Sequence, residues 1–107
     1  RGQIVGEREN ELKYMAMLKS MVLDAFKEEP CTIFLFGSRA RGESRRSSDY
    51  DIGFKGISRS RAMKKIAALD MLIEESCIPH RVDWVLFDEA DQTFRAVAEK
   101  DAVVWKG

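Results

Sequence analysis

From Cys31 to Phe54 the chain changes pattern twice, and that succession constrains its fold more than any other stretch. Cys31-Thr32-Ile33-Phe34-Leu35-Phe36 is an apolar run of strand length. Gly37-Ser38-Arg39-Ala40-Arg41-Gly42 follows at once as a glycine-bracketed turn rich in arginine. Seven residues after Gly42 begins Asp49-Tyr50-Asp51-Ile52-Gly53-Phe54. In a strand, residues i and i+2 share a face. Asp49, Asp51 and Gly53 therefore fall on one face, and Tyr50, Ile52 and Phe54 on the other, which would be the core. The segment reads as strand, loop, strand, with two carboxylates side by side and Gly53 leaving room beside them.

Adjacent carboxylates on one face repel each other, so the arrangement needs a compensating charge. Mg²⁺ suits it, being a hard cation that takes carboxylates together with waters and substrate phosphates. A third carboxylate has the same setting. Arg81-Val82-Asp83-Trp84-Val85-Leu86 alternates as a strand, with Val82, Trp84 and Leu86 set against Arg81, Asp83 and Val85. If this strand lies beside the Asp49/Asp51 strand, Asp83 joins the cluster. Three carboxylates could then hold two metal ions across an in-line phosphoryl displacement. Asp83 is also the natural general base for an incoming hydroxyl.

The loop supplies the complementary half. Glycines at 37 and 42 let backbone N–H groups approach a phosphate closely. Ser38 adds a hydroxyl and could open a short helix whose N-terminus favours anions. Arg39, Arg41, Arg45 and Arg46 place four guanidiniums within eight residues, and arginine forks match phosphate oxygens. For Arg45 and Arg46 a merely solvated loop is an equal reading.

These residues resemble a known signature. Gly37-Ser38, Ala40-Arg41-Gly42 and Ser48-Asp49-Tyr50-Asp51-Ile52 look like that of the DNA polymerase β-like nucleotidyltransferase superfamily. More narrowly they resemble the minimal nucleotidyltransferases, whose pattern is G-S-x-A-R-G, a spacer, then S-D-x-D-L. Ile52 in place of leucine is the only departure in the core pattern. The resemblance runs from the helix before Cys31 to the strand around Asp83. It implies that Gly37 and Ser38 bind the triphosphate of an incoming nucleotide. It implies that Asp49 and Asp51 ligate two Mg²⁺ ions, that Asp83 is the third catalytic and metal-binding carboxylate, and that Arg39 and Arg41 assist phosphate binding or loop structure.

The chain's 107 residues suit a single domain, 1–107. That length leaves room for one core and not for a separate acceptor-binding domain. It opens on Arg1 rather than methionine, consistent with a piece trimmed at its N-terminus. No run of about 18 apolar residues suggests a membrane span, and no secretory signal is read. Cys31 and Cys77 both sit in apolar contexts, where a small buried hydrophobe is favoured over a disulfide. A cytoplasmic setting fits better than a secreted one. Net charge is zero but uneven, with nine basic and three acidic residues over 31–65, and four basic and nine acidic over 66–107. That balance suits a single nucleotide and argues against extended nucleic acid.

Elsewhere the pattern is simpler. Residues 8–28 read as a helix, with Met15, Leu18, Val22 and Phe26 at helical spacing and Leu12, Met17, Met21 and Leu23 widening the apolar face. The methionines serve as core filler or as part of a partner-facing surface. Pro30 helps end this helix. Residues 43–48 read as loop. Ser58 or Ser60 could cap a helix running to about Ser76, with Ala62, Ile66, Leu69 and Ile73 as its stripe. Arg59, Arg61, Lys64 and Lys65 at its start read as a solvated face. His80, the only histidine, reads as structural or solvated, and alone cannot make a zinc site. Residues 91–100 read as a short helix with Phe94 and Val97 inward, and Val103-Val104-Trp105 as a closing strand. The order predicts a small α/β or α+β domain with helices packed on a mixed sheet.

The functional expectation is a metal-dependent nucleotidyltransferase in which a hydroxyl attacks the α-phosphate of ATP or another NTP. The resemblance implies an antitoxin paired with a small helical HEPN-type toxin, which it neutralises by transferring AMP to a tyrosine, by binding, or both. Two alternatives stay open: a non-catalytic antitoxin that acts by binding, and a small-molecule transferase of the aminoglycoside-modifying type. The reading also leaves open an oligomer.

Overall fold

A computed structural model describes residues 2–41, 49–79 and 81–107, with the side chains of 2–9 outside that description. Gly42, the 43–48 loop with Arg45, Arg46 and Ser48, and His80 therefore lie outside the described residues. Among the described residues four helices and four strands follow in order: α1 (Gly2–Ala25), β1 (Thr32–Phe36), α2 (Ser38–Arg41), β2 (Tyr50–Lys55), α3 (Arg59–Glu74), β3 (Val82–Leu86), α4 (Gln92–Glu99) and β4 (Val103–Lys106). A short 3-10 turn, Phe87–Glu89, links β3 to α4. The expected order is the observed one.

The strands form one sheet in the order β3-β2-β1-β4. β1 is antiparallel to both β2 and β4, and β2 is parallel to β3. A parallel pair cannot be joined by a tight turn and needs a crossover, which α3 provides. The sheet is therefore mixed, as expected.

Its two faces carry unequal cores. On one, Leu18 and Val22 of α1, Phe26 just after it, and Ala62, Ile66, Leu69 and Ile73 of α3 pack on Ile33, Leu35, Tyr50, Ile52 and Phe54. Burying one such side chain contributes roughly 1.5–3 kcal/mol, so this face carries most of the stability. The helical spacing identified this stripe correctly. Met15, Met17 and Met21 are half-buried against the same core. Leu12, expected to widen the face, is 66% exposed; among the described side chains of α1, the fully buried ones are Leu18 and Val22.

The other face holds a smaller cluster of Phe34, Phe36 and Phe87, with Val85, Ala98 and Ala102 against it. β1 is thus covered on both sides, the reason it reads as a continuous apolar run. Here two expectations fail. Gly53 does not leave open space beside the carboxylates, because an added Cβ would lie 2.7 Å from ring atoms of Phe34 and Phe87. The aromatic rings occupy that room. Gly53→Ala is expected to lower stability by about 1–3 kcal/mol through overpacking, read as a lower urea midpoint. An unchanged midpoint would mean the rings yield freely. In α4, Phe94 touches Phe36 and Phe87 with ring centroids 5.9 and 5.7 Å apart, yet Val97 is 67% exposed. Ala98 takes the inward position instead, because the helix meets the sheet with a face one residue round.

The helix ends are capped as their residues suggest. Asp91 accepts from the Thr93 and Phe94 amides at the start of α4. Ser58, the first of the two candidates, caps α3 by accepting from the Arg61 amide at 3.4 Å. That bond is long, so Ser58→Ala is expected to cost about 0.5–1 kcal/mol, measurable as a small drop in thermal midpoint. A loss near 2 kcal/mol would assign Ser58 more than capping.

The basic start of α3 is more than a solvated face. Arg61 and Lys65 pair with Glu29 at 2.9 and 3.8 Å, and Arg59 pairs with Glu89. Glu29 is buried, which needs such partners. Both cysteines are free thiols, but only Cys31 is buried. Burial pushes the Cys31 thiol up from its ordinary value, which disfavours the nucleophilic thiolate. Cys77 is exposed, contrary to expectation, because it follows the end of α3 rather than lying on its stripe. Among the described residues no helix is long and apolar enough to cross a membrane.

Candidate active site

The three carboxylates meet at one end of the sheet. Asp49 immediately precedes β2 and is exposed. Asp51 is the second residue of β2 and pairs in register with Phe36 of β1 on one side and with Asp83 of β3 on the other. Side chains of register partners share a face, so Asp51 and Asp83 are neighbours across the parallel pair. Tyr50 and Ile52 point to the large core, fully buried. The alternation thus places both acids on the face of the small aromatic cluster, at its rim.

β1 ends at Phe36, and Gly37 turns the chain with φ +79°. α2 follows as a single turn in which the Ala40 and Arg41 amides donate to the Gly37 carbonyl. The turn lies against Asp51. A Cβ built on Gly37 would collide with Asp51 Oδ2. Glycine is required here twice, for its backbone angle and for the approach of the carboxylate.

The electrostatics match this crowding. The Asp51 carboxyl is pushed up from its ordinary value, first by burial, then by the negative charges of Asp83 and Asp49, with Arg41 opposing the rise. Asp51 therefore lies within electrostatic reach of both other acids. Among the described residues no three His, Cys, Asp or Glu side chains form a ready-made metal cage. Hard carboxylate oxygens that repel one another are nonetheless the donor type that a divalent cation such as Mg²⁺ takes.

The two arginines of α2 separate. Arg41 is exposed and acts on Asp51. Arg39 is 7% exposed, and its guanidinium carbon lies 4.2 Å from the centroid of the Tyr50 ring. Ser38 is half-exposed at the start of α2. The sequence reading overlooked Phe36 and Phe87 as neighbours of the site: Phe36 pairs in register with Asp51, and the Phe87 ring abuts Gly53. For Phe36 the signal was the continuous apolar run 33–36; Phe87, in the turn after β3, carried no comparable one.

The family model described as "Polymerase beta, Nucleotidyltransferase" matches residues 17–105. The chain belongs to this nucleotidyltransferase family. The polymerase β-like match covers β1 to β3, the three acids and β4 as far as Trp105. Among solved structures, a crystal structure of a toxin–antitoxin with AMP-PNP is similar at TM-score 0.63 and 18% identity, covering 83% of this chain and 73% of that one. At that identity the likeness shows the fold alone. A Sulfolobus solfataricus protein provisionally assigned as a nucleotidyltransferase is similar at TM-score 0.55 and 27% identity, covering 92% and 84%. No curated protein matches the chain significantly. The polymerase β-like nucleotidyltransferase fold expected from the motif is the fold observed.

Proposed function

We propose that this nucleotidyltransferase domain transfers NMP, with AMP from ATP favoured, to a hydroxyl of a partner protein. The observation that carries the reading is the register of Asp51 beside Asp83, with Asp49 one step before β2 and the Gly37–Ser38 turn against Asp51. Gly37, Ser38 and Arg41 would hold the triphosphate. Mg²⁺, held by Asp49, Asp51 and Asp83, would supply charge neutralisation at the transferring phosphoryl group. Asp83, exposed at the rim, would accept the proton of the acceptor hydroxyl. The hydroxyl oxygen bonds to the α-phosphorus, the bond from that phosphorus to the bridging oxygen breaks, and pyrophosphate leaves on the Ser38 side. Positioning and electrostatics supply most of the rate enhancement.

The acceptor we favour is a tyrosine of a HEPN-type toxin, the chain acting as its cytoplasmic antitoxin. Two things support this: the resemblance to minimal nucleotidyltransferases, and the fold likeness to a toxin–antitoxin structure holding AMP-PNP. Intact acids favour catalysis over neutralisation by binding alone.

The test is label transfer from α-labelled ATP with Mg²⁺ in lysate of the source cells, beside an Asp51→Asn control. A labelled protein absent from the control, and labelled on tyrosine, supports the reading. A helical toxin that is recovered bound but never labelled, with any NTP, would replace it with the binding antitoxin. Label appearing only on an added aminoglycoside would move the acceptor to small molecules.

A further inference from the structure

α2 is one turn long and sends its two arginines to opposite sides of β2. Arg41 faces the carboxylates and Arg39 faces the large core, stacked on Tyr50. Arg39 directly follows Ser38, and Tyr50 lies between Asp49 and Asp51 in the chain. The β1–β2 pairing ends at Phe36 and Asp51. Gly37, Ser38 and Asp49 therefore lie beyond the last register pair. A planar guanidinium on a buried ring is a directional contact that a lysine or an alkyl chain reproduces only in part. Tyr50 is itself held, its amide donating to the Arg81 carbonyl at 2.9 Å, and Glu11 and Tyr14 of α1 face it electrostatically.

We propose that Arg39 is a positioning residue: stacked on Tyr50, it sets the phosphate-binding turn in register with the carboxylate strand and does not contact phosphate. This rests on the reading of the site as a nucleotidyltransferase. Of the two roles expected for Arg39, phosphate binding and loop structure, it takes the second in a specific form, and the two predict opposite kinetics. A phosphate ligand, once removed, weakens binding. A positioning residue, once removed, lowers the transfer rate by misplacing groups that still bind.

The experiment measures transfer rate and tripolyphosphate affinity in wild type, Arg39→Ala, Arg39→Lys, Arg41→Ala and Tyr50→Phe. Arg39→Ala is expected to lower kcat about tenfold, the scale of a modest misplacement, while tripolyphosphate affinity stays within about twofold of wild type. Arg41→Ala is expected to weaken tripolyphosphate. Arg39→Lys should recover part of the rate, and Tyr50→Phe, which keeps the ring, should stay near wild type. Should Arg39→Ala fail to fold, Arg39→Lys still decides. Loss of tripolyphosphate binding in Arg39→Lys equal to that in Arg41→Ala, or an unchanged rate in Arg39→Ala, would overturn the proposal with the enzymatic reading intact. A wild-type chain that neither binds tripolyphosphate nor transfers label would overturn both.

Discussion

Asp51→Asn should lose transfer on the order of 10³-fold, the scale of removing one preorganised electrostatic partner of a transition state, while the metal-free protein becomes more stable at neutral pH. The two effects share one cause. Asp51 is partly buried and faces Asp83 and Asp49, so its ionised form is disfavoured in the folded state. Its folded-state titration lies above the ordinary value of 3.8. A group raised in this way favours folding when protonated, and that contribution is lost as pH rises through the folded-state value. At low pH wild type and Asp51→Asn should therefore melt together. As pH rises above 3.8 and through the folded-state titration, wild type should fall behind. Added Mg²⁺ should close the gap by stabilising wild type alone. Melting curves at several pH values, with and without Mg²⁺, check this. A variant that is less stable at neutral pH without metal would show that Asp51 is held by favourable contacts, contrary to the crowding described.

Gly37→Ala should be the second most damaging change at the site, with transfer reduced about a hundredfold and stability lowered by roughly 1–2 kcal/mol. The stability loss comes from φ +79° at Gly37, where a side chain meets its own backbone. The activity loss comes from the collision of the new methyl with Asp51 Oδ2. Either the carboxylate moves off its position beside Asp83 or the turn lifts away. Both separate phosphate binding from the acids. Asp51→Asn and Gly37→Ala should thus both be nearly inactive, and only the second should be destabilised. A Gly37→Ala chain with full activity would show that turn and carboxylate are not in contact during turnover.

Much of this site could be read in one dimension because its parts obey short-range rules. Strand alternation set Asp49 and Asp51 apart from Tyr50, Ile52 and Phe54, and the large core confirms which set is inward. Helical spacing identified Ala62, Ile66, Leu69 and Ile73 in the same way. Such periodicities depend only on backbone geometry and on which side meets the core.

What lay beyond the sequence depends on distances between elements. The meeting of Asp83 with Asp51 requires β3 to run parallel and adjacent to β2, a choice made by the α3 crossover and the packing of its stripe. Alternation alone could not separate open space at Gly53 from a slot filled by Phe34 and Phe87, because those rings come from β1 and from the turn after β3. The division between Arg39 and Arg41 depends on how α2 sits across β2. The outward turn of Val97 and the exposure of Cys77 depend on how α4 and the end of α3 seat. The sequence by itself determined the elements, their inward faces and the chemistry of the acids and glycines, since these follow from local periodicity and residue type. Tertiary packing alone decided which acids converge, which arginine faces them and what fills the space between, since contact across strands and helices is a property of the assembled sheet.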